Sequence, residues 1–222
     1  MCRRIPSDLL LTILSLLLTL FSVLILAFGC HDAGKASTSN KAGSAGPGAE
    51  DILFDRPEAT APNTLNVQSS AFPPDGPIPD RFSDYFGKVS PPLTWSPLPP
   101  EAKSVAVVVE DPDAPRPNKP FLHWLAYNLP TSATALPEDV PKRGRLDEPA
   151  GALQGKNGSG TVGYFGPRPP PGHGPHHYHF QVFAMDCTLD LGPGATRKQL
   201  LDAMSGHVVS RGRVMGTYEK PK

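Results

Sequence analysis

The chain has no excess of either charge: 21 lysines and arginines balance 21 aspartates and glutamates. A nucleic-acid surface needs a basic stripe or patch, so nucleic acid is set aside as a partner. Cysteine is scarce and odd in number, three in 222 residues. Cys2 and Cys30 fall in or beside a leader and only Cys187 in the folded part, so neither a disulfide framework nor a zinc-type spacing is expected. Also missing are a G-x-S-x-G elbow, an H-E-x-x-H pair and a Gly-rich phosphate loop ending in Lys and Ser or Thr. Each would mark a known catalytic arrangement. With no nucleophile placed beside a base, a small hydrolase using His and Asp as acid and base is the weaker alternative to a binding protein. No internal repeat is visible.

Proline and glycine, in contrast, are abundant, at 28 and 21 residues spread through the chain. Such punctuation favours many short strands and loops over long helices, hence an all-β class with a few short peripheral helices. A hydrophobic fraction of 39% supports one substantial core once the terminal segments are discounted.

Arg3 and Arg4 precede an almost unbroken apolar run, Leu9 to Phe28, that ends at Gly29-Cys30. The order of basic start, apolar middle, small residue and cysteine resembles a bacterial lipoprotein signal, with Cys30 as the acylated mature N-terminus. Ala27 and Phe28 depart from such signals and the run is long, so an uncleaved anchor helix competes with that reading. Ordinary secretion is a third alternative; all three export the rest of the chain, and the first two attach it to the membrane of the cell envelope. The expected division is a signal or anchor over 1–29, a flexible tether over 30–62, rich in Ala, Gly, Ser and Lys, and a folded domain over 63–222.

Within the domain, Leu65 to Phe72 alternates weakly and reads as a first strand. Phe82, Tyr85 and Phe86 are expected in the core, as most large rings are. Ser104 to Glu110 is β-branched and continuous, which suits a central strand buried on both faces. It runs into Asp111-Pro112-Asp113-Ala114-Pro115, where the prolines hold both aspartates on a stiff non-helical loop. Phe121 to Leu129 reads as another strand, with His123 on the parity of Leu125 and Tyr127. Asn157-Gly158-Ser159-Gly160 is a turn. Thr196-x-x-Gln199 starts a short amphipathic helix that stops at Gly206, and Val208 to Tyr218 returns to extended character.

The stretch around which the chain is organised is Gly163 to Met185. Pro169 to Pro171 forces a loop, and the alternation that follows puts His176, Tyr178, Phe180 and Val182 on one strand face. If the strand ends meet, two imidazoles, a phenol and a carboxylate line one small apolar cavity able to grip an oxyanion without metal or cofactor. Its ligand would be a phosphate-bearing small molecule or lipid head group. Binding would fade above a pH of about 6.5 if charged imidazole is required. His173, His176, His177 and His179 make a poor metal set, because strand parity splits them and their spacing matches no common zinc pattern.

Four pieces in order resemble the phosphatidylethanolamine-binding protein family, in its bacterial, Raf-kinase-inhibitor-like branch. They are Ser90-Pro-Pro-Leu-Thr-Trp95, Asp111-Pro-Asp-Ala-Pro115, His123-Trp-Leu-Ala-Tyr-Asn128 and the run from Tyr164 through the prolines to Phe180. The resemblance extends from about residue 64 to 219. It implies a Greek-key β-sandwich with an anion pocket near one end, lined by Asp111, Asp113, His123, Pro171, His176 and Tyr178. His177 stands where that family usually has Arg, and parity points it away from the pocket. A role in regulating a partner, or in inhibiting a protease or kinase, is implied by the resemblance alone.

Overall fold

Val105 to Val109, four valines and one alanine, is the part of the chain that suits burial on both faces, and it forms the middle of the largest sheet. The computed structural model describes residues 52–117 and 120–220. The leader, Cys30 and the tether as far as residue 51 lie outside them. The strands are β1 (Val67–Gln68), β2 (Leu93–Trp95), β3 (Ser104–Asp111), β4 (Phe121–Leu129), β5 (Ala135–Leu136), β6 (Leu153–Gln154), β7 (His176–Met185) and β8 (Val208–Tyr218), with helix α1 (Arg197–Met204) between the last two. Five strands form one antiparallel sheet in the order β6-β4-β3-β7-β8, and β1-β2-β5 form a second. After the β3–β4 pair the chain makes a long excursion before β7 returns beside β3, a Greek-key connection. The class is therefore all-β, with one α-helix and a few 3-10 turns among the described residues.

Both faces of the large sheet are covered. Val107, Val109, Trp124, Phe180 and Val182 pack toward the small sheet, against Val67, Leu93, Trp95, Phe72 and Phe82. Ala106, Val108, Leu125, Tyr127 and Phe183 face the other way, onto Leu200, Leu201 and Met204 of α1. Thr196 caps that helix reciprocally with Gln199, and Gly206 turns at φ 79°, as its sequence predicts.

Four expectations are corrected. The tether was to run to residue 62, yet Leu53–Asp55 and Pro57–Ala59 form 3-10 turns whose Ile52, Leu53, Phe54 and Ala59 are buried on the back of the sheet. A buried polar cluster fastens this strap: Leu53 N–H donates to Glu110 Oε2 (2.6 Å), Phe54 N–H to Gln181 Oε1 (2.6 Å) and Arg197 Nε to Glu110 Oε1 (2.6 Å). Its apolar residues lack a helical or strand period, so composition masked them. The first strand shrinks to Val67–Gln68. Phe86 is 55% exposed, although Phe82 is fully buried. Cys187 is buried and disulfide-bonded, its partner lying outside the described residues.

Candidate functional site

Asp111 ends β3 and carries the site. Strand parity puts its side chain on the face of Val107 and Val109, where it is 3% exposed. Its Oδ1 accepts the Asp113 backbone N–H at 2.8 Å, so the proline-stiffened loop fixes the carboxylate's rotation. Its Oδ2 accepts from His176 Nδ1 at 2.8 Å and lies 3.9 Å from His123 Nε2, an electrostatic contact rather than a hydrogen bond. Burial pushes the carboxyl up, but the adjacent His123 and His176 rings more than offset it and hold Asp111 below the usual carboxylate range. Asp111 is thus ionised, and His176 donates through Nδ1.

The two imidazoles arrive by different routes. His176 opens β7 on the parity of Tyr178 and Phe180, as expected. His123 does not follow simple alternation, which would set it with Leu125 and Tyr127 on the back of the sheet. Val109 pairs with Trp124 but Glu110 pairs with Leu122, so His123 is the extra residue of a β-bulge. The bulge turns it to the front, beside Asp111. His123 Nδ1 lies 2.7 Å from the Phe165 carbonyl, which can only accept, so Nδ1 carries the proton and Nε2 faces the carboxylate.

Above these groups opens a cavity of about 280 Å³. Asp111, His123 and His176 line it with Phe121, Phe165 and Pro170, and Arg116, Arg168 and Ser159 contribute the remaining polar groups. Phe121 and Phe165 flank His123 with ring centroids 4.6 and 5.9 Å away, making the wall apolar. Arg116 stacks over Phe121 at 4.4 Å, and Arg168 pairs with Asp84 at 3.2 Å. Beyond Arg116 and Phe121 a second recess reaches Lys156, so that side of the rim is basic as well. Asp111 is the one carboxylate of the lining, which favours an anionic occupant. Ser159 Oγ bonds to Asn157 and Thr161 rather than to an imidazole, so it is not activated as a nucleophile.

The remaining residues expected at the site occupy other places. Tyr178 lies behind the cavity wall, fully buried, its ring edge-on to His123 at 5.0 Å and stacked on His176 at 6.5 Å. Its hydroxyl approaches the Arg168 backbone but closes no hydrogen bond within the protein. Asp113 points outward, where His177 donates to its Oδ2 from the backbone N–H and from Nδ1. Pro171 is exposed and Pro170 forms the wall instead. Arg116, Arg168 and Phe165 were not anticipated. They come from loops, where no periodicity reports which way a side chain points.

The four clustered histidines divide as parity predicts. His177 pairs with Asp113, and His179 is driven down to about 4 by burial and then by Arg213 and His177. Only His173 and His176 meet, with Nδ1 of the first 2.8 Å from Nε2 of the second. Among the described residues, Asp186, Cys187 and His207 are the one trio whose ligand atoms converge, but Cys187 is disulfide-bonded and His207 is held by Asp186 at 2.8 Å.

Residues 68–219 match the family described as phosphatidylethanolamine-binding protein. A UPF0098 protein of Methanothermobacter thermautotrophicus is 45% identical over 156 residues, covering 70% of this chain and 99% of that protein. One from Pyrococcus horikoshii is 46% identical over 152 residues, covering 68% of this chain and 75% of its own length. The crystal structure of a phosphatidylethanolamine-binding protein homolog from Chlamydia trachomatis superposes with a TM-score of 0.64 at 39% identity, covering 72% of this chain and 99% of that one. E. coli YbcL, described as a new member of the mammalian PEBP family, superposes with a TM-score of 0.66 at 31% identity, covering 71% and 99%. This chain belongs to the phosphatidylethanolamine-binding protein family.

Proposed function

We propose that the protein is an exported, membrane-tethered binding protein of the bacterial Raf-kinase-inhibitor-like branch, whose cavity holds a phosphate group without metal. The observation that carries the reading is the shared carboxylate: His123 and His176 converge on Asp111 at the floor of an apolar cavity rimmed by Arg116 and Arg168. Imidazole N–H and guanidinium groups donate to phosphoryl oxygens, and the apolar wall strengthens each contact by excluding water. A cavity of about 280 Å³ suits a small head group rather than an acyl chain.

Proton bookkeeping favours a phosphate monoester. Because His176 Nδ1–H serves Asp111, its Nε2 meets a ligand oxygen favourably only if one proton lies between them. A monoester, whose second ionisation falls near a pH of about 6, brings that proton itself or accepts it from the imidazolium. A sulfate ester or a diester has no proton to bring and can be met only by the imidazolium, so its binding should fall more steeply as pH rises. Calorimetric titration of the full chain in detergent with phosphoethanolamine tests this, with His123→Ala and His176→Ala expected to lose binding. Equal binding by wild type and both variants would reject the site.

The tether and anchor complete the proposal, with Cys30 as the acylated residue. Mass spectrometry of the N-terminal peptide from the membrane fraction reads out both: a diacylated Cys30 supports the lipoprotein, and an unmodified Met1 terminus supports an anchor helix in its place.

A further inference from the structure

Within the phosphate reading, His173 has a position that neither the strand pattern nor the cavity lining explains. His176 is rigid, 1% exposed and fixed to Asp111 through Nδ1. Its other nitrogen, the one a ligand oxygen would use, is occupied by His173 Nδ1 at 2.8 Å. His173 itself is exposed and its ring packs only edge-on against His176, with centroids 5.0 Å apart. Nothing from the core holds it there.

The backbone around it is built to move locally. Gly172 and Gly174, on either side, sit at φ 74° and 82°, in the left-handed region that glycine enters without strain, and the space where a Cβ would stand is open at both. Upstream, Pro169 to Pro171 stiffen the chain, so rotation is confined to the Gly-His-Gly step. The one backbone bond of the residue, His173 N–H to the Pro170 carbonyl at 3.2 Å, closes a turn that does not involve the ring.

We propose, resting on the phosphate-monoester reading above, that His173 is a displaceable internal ligand which occupies His176 Nε2 in the empty site and swings out when a phosphoryl oxygen takes its place. The exchange replaces one hydrogen bond to His176 by another, so a phosphorylated ligand can drive it. Ethanolamine or a neutral alcohol can bring a hydrogen to Nε2 but has no anionic oxygens for Arg116 and Arg168, and so leaves His173 in position. The residue thus sets specificity by raising the threshold for entry, since ligand must compete for a nitrogen already in use.

The test combines titration with NMR of the full chain labelled at histidine. His173→Ala should bind phosphoethanolamine about fivefold more tightly than wild type, the worth of one net hydrogen bond. Saturating wild type with phosphoethanolamine should move the His173 ring resonances to those of a free imidazole, and ethanolamine should not. Inorganic phosphate and glycerophosphoethanolamine serve as further arms, separating free phosphate and a lipid-type diester from the monoester. Equal or weaker binding by His173→Ala, or His173 resonances unmoved at saturation, overturns the proposal. If wild type binds and His176→Ala does not, while His173→Ala matches wild type, the pocket reading stands and the exchange alone falls. If neither wild type nor His173→Ala binds any phosphate, both fall together.

Discussion

Removing one oxygen atom from Tyr178 should make the empty protein more stable and the site less competent. The side chain is fully buried and its hydroxyl finds no partner within the protein. Burial and then the charge on Asp111 push its phenol far up, so it stays a donor at every working pH. A buried donor without an acceptor costs about 1–3 kcal/mol. Tyr178→Phe abolishes that cost and leaves the ring contacts with His123 and His176 in place. We expect a gain near the low end, about 1 kcal/mol by urea denaturation, or about 2–4 °C in melting temperature for a domain of this size. If the hydroxyl serves a phosphoryl oxygen, its loss removes a hydrogen bond to a charged group, worth about 1.5–3 kcal/mol. That corresponds to about a tenfold to hundredfold weaker affinity for phosphoethanolamine. The two signs must oppose each other. A tyrosine that merely fills space would leave affinity unchanged, and a hydroxyl satisfied in the empty protein would make Tyr178→Phe less stable, so either result refutes the reasoning.

Three further outcomes follow from the same geometry. Asp111→Asn keeps an acceptor for the Asp113 N–H but removes the charge. Because the folded carboxyl lies below its unfolded value of about 3.9, its stabilisation is present above that pH and is lost as pH falls through the folded value. The gap between wild-type and Asp111→Asn urea midpoints should therefore be wide at neutral pH and close in acid, and a gap that ignores pH contradicts the assignment. Glu110→Ala breaks a buried ion pair with Arg197 and removes the acceptor of Leu53 N–H. It should cost about 3–5 kcal/mol and expose the buried Phe54 to chymotrypsin, whereas unchanged cleavage would mean the strap is held by its apolar residues alone. Arg116→Gln and Arg168→Gln should each weaken phosphate binding by about 0.2–1 kcal/mol and flatten its salt dependence. Arg116 should matter more, because Asp84 already neutralises part of Arg168, and the reverse order in titration would count against the rim as drawn.

Regular alternation made much of this readable beforehand. β7 behaves as its sequence says: His176, Tyr178, Phe180 and Val182 share one face, and Gln181 and Phe183 the other. Continuous β-branching placed β3 at the centre, and the capping pair placed α1. What stayed hidden was whatever breaks a period. The Leu53–Phe54 strap has two large apolar residues without a repeat, and its anchor is a carboxylate 57 residues away. Arg116, Phe165 and Arg168 reach the cavity from loops. His123 lines the cavity, on the face opposite to the one its parity indicates, because a bulge is a property of strand pairing and a single strand carries no record of it.

That bulge also decides which of two adjacent carboxylates His123 serves. Glu110 and Asp111 leave β3 on opposite faces, one fully buried against the strap and α1, the other at the cavity floor. The register shift falls between Val109 and Glu110, directly across from His123. Without it, His123 would project to the back of the sheet, toward the Glu110 side, and Asp111 would face the cavity with His176 alone. One inserted residue thus moves an imidazole from the strap to the ligand side. Deleting His123 should restore plain alternation and keep the sheet, while leaving Asp111 a single imidazole partner and an anion site too weak to hold a phosphate.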